Sequence, residues 1–194
     1  MEAAAIVLAA GAGTRMKSKK PKVAHEVLGK PLVRWVVDAA REAGVGRVVS
    51  VVGHAREQVL PLVEGDTQPV VQVEQNGTAG AVLVCAEALS GFDGSLVVLS
   101  GDCPLITSRT IARLVEERER NAAACVVLTM EPADPFGYGR IVREADGSVA
   151  RIVEQKDATP EEAAIRECNS GFYCFDARAL FDALAQVGND NAQG

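Results

Sequence analysis

The stretch "AAIVLAAGAGTRM", residues 4–16, opens with an unbroken apolar run and passes directly into a turn with glycines at 11 and 13. An apolar run without polar alternation predicts a strand covered on both faces, the habit of parallel sheets. Three later runs repeat the pattern: "RVVSVVG" (47–53), "PVVQVE" (69–74) and "SLVVLSGD" (95–102). Amphipathic stretches separate them: "PLVRWVVDAAREAG" (31–44), "AREQVLPLVEG" (55–65, interrupted by Pro61) and "TAGAVLVCAEALSG" (78–91). Strand and helix in alternation predict an α/β, Rossmann-like three-layer fold around a mainly parallel, mixed sheet.

Further along the rhythm changes. "TIARLVEERERNAAA" (110–124) predicts a helix with a charged outer face, and "CVVLTM" (125–130) another strand. "GRIVREADGSVARIVEQK" (139–156) alternates on both sides of Asp146-Gly147, a hairpin pattern. "CNSGFYCFD" (168–176) reads as a strand and "ARALFDALAQVG" (177–188) as a helix. An antiparallel β insertion is therefore expected after the first four strands of a doubly wound core. With 194 residues, no repeat and no linker, the chain reads as one domain, residues 1–194. In such sheets ligands bind outside the carboxyl ends of the strands, where the turns at 10–14 and 100–104 lie.

Composition narrows the classes. Hydrophobic residues make up 48% and charged residues 24%, ordinary for a soluble protein with a core. No apolar run approaches the roughly 20 residues that span a bilayer, so no membrane partner is expected. "MEAAAIVLAAG" begins on Glu2 rather than a basic region and ends in a glycine turn, which predicts a buried strand and not a signal peptide. Cys85, Cys103, Cys125, Cys168 and Cys174 are odd in number and lack C-x-x-C spacing. That predicts neither a zinc site nor a disulfide framework, but mostly buried thiols of a reduced, cytoplasmic protein. Cys103 stands apart because it follows Asp102.

The glycine turn is a candidate anion site. Gly11 and Gly13 let the backbone approach closely, and successive N–H groups there can point at phosphate oxygens. Met16 stands where the dinucleotide fingerprint needs its third glycine, and no Walker sequence is present. Arg15, Lys17, Lys19, Lys20 and Lys22 follow the turn, in a chain of net charge −6. Cations on a glycine turn suit a polyphosphate, although Lys17, Lys19 and Lys20 also read as merely solvated. The patch is single and has no interleaved aromatics, so no nucleic-acid partner is expected. In "LSGDCPLI" (99–106), Ser100 and Gly101 lead into Asp102 at a strand end, a position suited to hold Mg²⁺ on a phosphate. The other reading of Asp102 is a helix N-cap, which Pro104 and the residues before Thr107 disfavour.

"LAAGAGTRM" followed by "PKV" resembles the signature of sugar-phosphate nucleotidyltransferases. "QVEQNGTAGA" (72–81), "SGDCPLI", "GYGRIVRE" (137–144), "IVEQKDAT" (152–159), "CNSGFY" and "NDNAQG" narrow the resemblance to the N-terminal uridylyltransferase domain of the bacterial bifunctional GlmU family. The resemblance covers essentially the whole chain. It implies Mg²⁺-dependent formation of UDP-N-acetylglucosamine and pyrophosphate from UTP and N-acetylglucosamine 1-phosphate, a step toward peptidoglycan and lipopolysaccharide. It implies that Leu8, Ala9, Ala10 and Gly11 contact the nucleotide, and that Arg15 and Lys22 hold the triphosphate. Gln72 and Gly77 would contact the uracil, with Thr78 at the same wall. Asp102 would be the Mg²⁺ ligand, and Gly139, Glu154 and Asn169 the sugar site. On the residues alone, Glu154 also reads as a solvated strand carboxylate and Asn169 as a turn former.

Two departures accompany the resemblance. The family commonly has a histidine after "GTG", where this chain has Gly80, which implies a slightly different wall beside the uracil. The family also continues past "NAQG" with a second Mg²⁺ ligand, an asparagine, and with a hexapeptide-repeat acetyltransferase domain. Residues 1–194 are accordingly expected to be a C-terminally incomplete nucleotidyltransferase domain, monomeric where the full-length family is trimeric. Two rival readings stay open: a related enzyme using glucose 1-phosphate with UTP or dTTP, and a nucleotide-binding fragment with little turnover.

Overall fold

The structure is a computed structural model, and it describes every residue except 1, 12, 14, 15, 75 and 187–194. In chain order the elements are β1 (Ala3–Ala9), a single 3-10 turn (Lys22–Ala24), β2 (Glu26–Val27), β3 (Lys30–Pro31), α1 (Leu32–Glu42), β4 (Arg47–Val52) and α2 (Arg56–Val63). There follow β5 (Gln68–Val71), α3 (Gly77–Leu83), β6 (Ser95–Ser100) and α4 (Ser108–Asn121). The chain ends with β7 (Cys125–Met130), β8 (Arg140–Arg143), β9 (Val149–Val153), α5 (Pro160–Ala163), β10 (Cys168–Asp176) and α6 (Ala177–Leu184). Its described residues divide into two compact units, one within 2–126 together with 173–186 and the other within 127–172.

The first unit is the expected parallel sheet, in the order β5-β4-β1-β6. The last residues of β10 run antiparallel to β6, Tyr173 opposite Val98 and Asp176 opposite Ser95. Ala4, Ala5, Ile6 and Val7 are all fully buried, so β1 is covered on both faces. On one face Ile6, Val49, Leu96 and Val98 pack with Val82, Cys85 and Leu89 and with Ala177 of α6. On the other lie α1, α2 and α4, with Val33, Val36, Val37 and Ala40 at helical spacing on the buried side of α1. Each fully buried Val, Leu or Ile side chain among them contributes roughly 1.5–3 kcal/mol.

Several expectations shift in detail. Pro61 does not interrupt α2, because Val59 and Val63, both fully buried, anchor the helix on either side of it. The helix expected at 78–91 ends at Leu83. Beyond it the bonding tightens to Cys85 N–H on Val82 O and Ala86 N–H on Leu83 O, each at 3.0 Å. The charged face of α4 is not wholly outside: Arg118 follows Ile111 and Leu114 on the buried stripe and forms an ion pair with Asp176. The small β2–β3 hairpin, with Glu26 opposite Pro31, adds to the expected elements. Trp35 Nε1–H donates to the carbonyls of Val27 and Lys30, each at 3.2 Å, and so pins it.

The second unit carries the antiparallel insertion. β8 and β9 form the hairpin around Asp146-Gly147, with Arg140 opposite Val153 and a register shift at Val142/Arg143. Gly147 has φ +85°, and Asp146 Oδ1 accepts from the Ser148 N–H at 2.9 Å. Cys168 of β10 pairs with Arg140 of β8. A capping box on Thr159 and Glu162 starts α5.

Candidate active site

A cleft of about 540 Å³ opens in the first unit at the carboxyl ends of the strands. It is lined by Leu8, Ala10, Gly11 and Gly13 from β1 and its turn, by Lys22 and Val23, by Gln72, Gly77, Thr78 and Ala81, and by Ser100 and Asp102. Backbone bonds past the strand ends hold these walls together. Gly101 N–H donates to Leu8 O (2.9 Å), His54 N–H to Ala10 O (3.2 Å) and Gln72 N–H to Val52 O (2.8 Å). A Cβ on Gly101 would lie 2.8 Å from Leu8 O. Only glycine lets the chain leave β6 that close to β1 and bring Asp102 to the cleft.

The glycines divide by purpose. Gly13 has φ +61°, and a Cβ there would sit 2.7 Å from Lys22 Cβ. Its size therefore seats the Lys22 segment against the turn. Gly11 and Gly77 would meet nothing within 4 Å, so no packing inside the protein requires them to be small. Both are exposed at the wall of the cleft.

Asp102 lies two residues past β6, and Lys22 Nζ is ion-paired with its Oδ2. The N-cap reading of Asp102 is excluded, because Thr107 caps α4 and accepts from Thr110 N–H at 3.2 Å. Cys103 Sγ lies 3.5 Å from Asp102 Oδ1 as a donor. Burial first, then the neighbouring carboxylate, pushes the Cys103 thiol up to about 11, so at neutral pH it is a protonated donor and not a nucleophile. Cys85, Cys168 and Cys174 are buried as expected, while Cys125 is exposed.

Gln72, only 5% exposed, donates from Nε2 to Asn76 Oδ1 (3.1 Å) and Gly77 O (3.4 Å). Among the described residues no three His, Cys, Asp or Glu side chains converge. One carboxylate in a cleft suits Mg²⁺, which takes one or two protein carboxylates and fills its octahedron with waters and phosphates. It does not suit zinc.

Of the residues read from the sequence, Ala9 and Gly101 do not themselves line the cleft, and Arg15 lies outside the described residues. Gly139, Glu154 and Asn169 belong to the second unit and are brought together there. Asn169 N–H donates to Gly139 O at 2.9 Å, and a Cβ on Gly139 would lie 3.2 Å from Glu154 Oε1. Buried Arg140 holds this corner, donating to Tyr138 O, to Gln155 Oε1 (2.8 Å) and to Ala163 O (3.4 Å). The sequence reading missed Val23, Ala81, Asn76 and Arg140. Val23 and Ala81 have a signal, the apolar residue after Lys22 and the one a helical turn beyond Thr78. Asn76 and Arg140 have none.

A parallel sheet that gathers Gly11 and Gly13, a lysine, an amide and an aspartate at its carboxyl edge is built as a nucleotide-handling α/β protein. The chain belongs to the MobA-like NTP transferase family, whose domain description matches residues 5–193. It is 51% identical over 194 residues to a protein named "Bifunctional protein GlmU" from Pelotomaculum thermopropionicum, covering 100% of this chain and 42% of that one. A protein of the same name from Geobacter metallireducens is 51% identical over 193 residues, covering 98% of this chain and 40% of its own length. The resemblance to the GlmU family read from the motifs is thus borne out, and the chain spans less than half the length of these relatives. A crystal structure of UDP-glucose pyrophosphorylase complexed with UDP-glucose shares the fold, with TM-score 0.74 and 22% identity over 98% of this chain and 83% of that one. Among the described residues no helix is long and apolar enough to cross a membrane.

Proposed function

We propose that residues 1–194 act as a nucleotidyltransferase domain that joins UTP to N-acetylglucosamine 1-phosphate, forming UDP-N-acetylglucosamine and releasing pyrophosphate. The observation that carries this reading is the single cleft shared by Gly13, Lys22, Gln72, Gly77 and Asp102. The likeness to the GlmU relatives supports the choice of sugar and of base.

A phosphate oxygen of the sugar attacks the α-phosphorus in line, and the bond from the α-phosphorus to the bridging oxygen of pyrophosphate breaks. No covalent enzyme intermediate is needed, so the protein acts by positioning and charge neutralisation. Leu8, Ala9, Ala10 and Gly11 offer backbone to the nucleotide, and Gln72, Gly77 and Thr78 form the wall for the base. Lys22 exchanges its Asp102 partner for the triphosphate and, with Arg15, takes the charge of the departing pyrophosphate. Ser100 and Gly101 carry Asp102, the residue that would hold Mg²⁺. When bound, Mg²⁺ supplies Lewis-acid neutralisation of the reacting phosphates. Gly139, Glu154 and Asn169 receive the sugar. The test is pyrophosphate release with UTP and N-acetylglucosamine 1-phosphate, with and without Mg²⁺ and against glucose 1-phosphate. No release with the N-acetylated sugar, or equal release with glucose 1-phosphate, rejects the assignment.

A further inference from the structure

Gln72 is a buried amide in the cleft wall, and its Nε2 donates to Asn76 Oδ1 and to Gly77 O. An amide nitrogen has two N–H groups. Both are committed within the protein, which leaves the side chain's oxygen as what it can offer a ligand. Asn76 stands immediately before α3, where an asparagine normally accepts from a helix N–H. It makes no such cap, and its oxygen serves Gln72 instead. Gly80 lies one helical turn further on. A Cβ there would sit 1.8 Å from Asn76 Oδ1 and 2.4 Å from its Cγ. The Asn76 amide therefore fills the volume that any side chain at position 80 would occupy.

We infer that Asn76 and Gly80 are a coupled pair of positioning residues that hold the Gln72 amide with its oxygen toward the nucleobase, and so select uracil over cytosine. Uracil presents an N3–H donor to that oxygen, whereas cytosine presents an unprotonated N3, an acceptor facing an acceptor. Without Asn76 only the longer 3.4 Å bond to Gly77 O holds the Gln72 amide, which then more readily rotates to offer its NH₂ group and receive either base. The inference rests on the uridine reading of the cleft.

The test is calorimetric binding of UTP and CTP, which does not depend on turnover. Asn76→Ala should reduce the preference for UTP by about threefold to tenfold, the worth of one net hydrogen bond. Asn76→Asp should retain it, because a carboxylate still accepts. Gly80→Ala should reduce it by a similar factor and add nothing in the Asn76→Ala background, since both changes break one contact. Asn76 is exposed, so its variants keep the test decisive if Gly80→Ala fails to fold. An unchanged preference in Asn76→Ala, where Gln72→Ala loses it, overturns the inference and leaves the uridine reading standing. A preference undiminished in Gln72→Ala overturns the uridine reading itself. An additive loss in the double variant overturns the coupling.

Discussion

In the first unit β1 buries Ala4, Ala5, Ile6 and Val7 completely, while in the second unit β9 leaves Val149, Ala150 and Arg151 exposed. Order in the first comes from apolar layers on both faces of a parallel sheet. Order in the second leans on guanidinium groups: Arg140 on three acceptor oxygens, Arg143 on both oxygens of Glu167, and Arg151 on Glu162. The candidate nucleotide cleft thus stands on close packing, and the cluster of Gly139, Glu154 and Asn169 stands on directional polar bonds. Packing resists salt and pH, whereas exposed ion pairs are weak and titrate. The two should fail in different ways.

The largest effect should separate chemistry from stability within the first unit. Asp102→Asn should cost about 10³-fold or more in turnover, the several kcal/mol a metal ligand is worth, with the thermal midpoint nearly unchanged. Near-normal turnover at low millimolar Mg²⁺ would remove Asp102 from the mechanism. Leu96→Ala addresses the packing itself: Leu96 is fully buried, and urea denaturation should show a loss of about 2–5 kcal/mol. Val149→Ala, at a residue 42% exposed, should cost no more than about 0.5 kcal/mol. Equal losses at the two positions would erase the contrast between the units.

Two glycine substitutions sharpen it further. Gly13→Ala imposes a left-handed conformation on an ordinary residue, costing about 1–2 kcal/mol, and pushes on Lys22, so UTP affinity should fall severalfold. Gly139→Ala, whose Cβ would lie 3.0 Å from Ile152 Cγ2 and 3.2 Å from Glu154 Oε1, should raise KM for the sugar phosphate and leave UTP affinity unchanged. A change in UTP affinity instead would contradict the sugar role of this corner.

The smallest effect concerns pH. The hydrogen bond from Arg143 holds the Glu167 carboxyl below the usual carboxylate range. Because the folded value is depressed, the pair stabilises the protein fully above the unfolded value, about 4.3, and that contribution is lost as pH falls through the folded value. The difference in midpoint between wild type and Arg143→Ala should be steady from neutral pH to about pH 5, small as for an exposed pair, and should shrink at lower pH. A constant difference down to about pH 3 would show that Arg143 acts through its packing alone.

Much of the architecture was legible because it is local. The apolar runs of β1, β4 and β6, the Asp146-Gly147 turn and the spacing along α1 each express a period or a turn preference within a few residues. The glycine turn, Lys22 and Asp102 were legible as candidate chemistry for the same reason, each sitting in a short local motif, whereas Gln72 came only from the resemblance to the family. What no window of sequence contains is which distant groups share a contact. Arg118 and Asp176 are 58 positions apart, and their pairing turned an outer-face arginine into a buried one. Lys22 and Asp102, read separately as a phosphate ligand and a metal ligand, are partners of each other. Even Asn76 and Gly80, close in sequence, have a relation that depends on a side-chain rotamer over the first turn of α3. Periodicity and turn chemistry follow from bonds along the chain, so composition and order determine them. Ion pairs, rotamers and the wall of a cleft depend on which surfaces meet, and only the folded arrangement decides that.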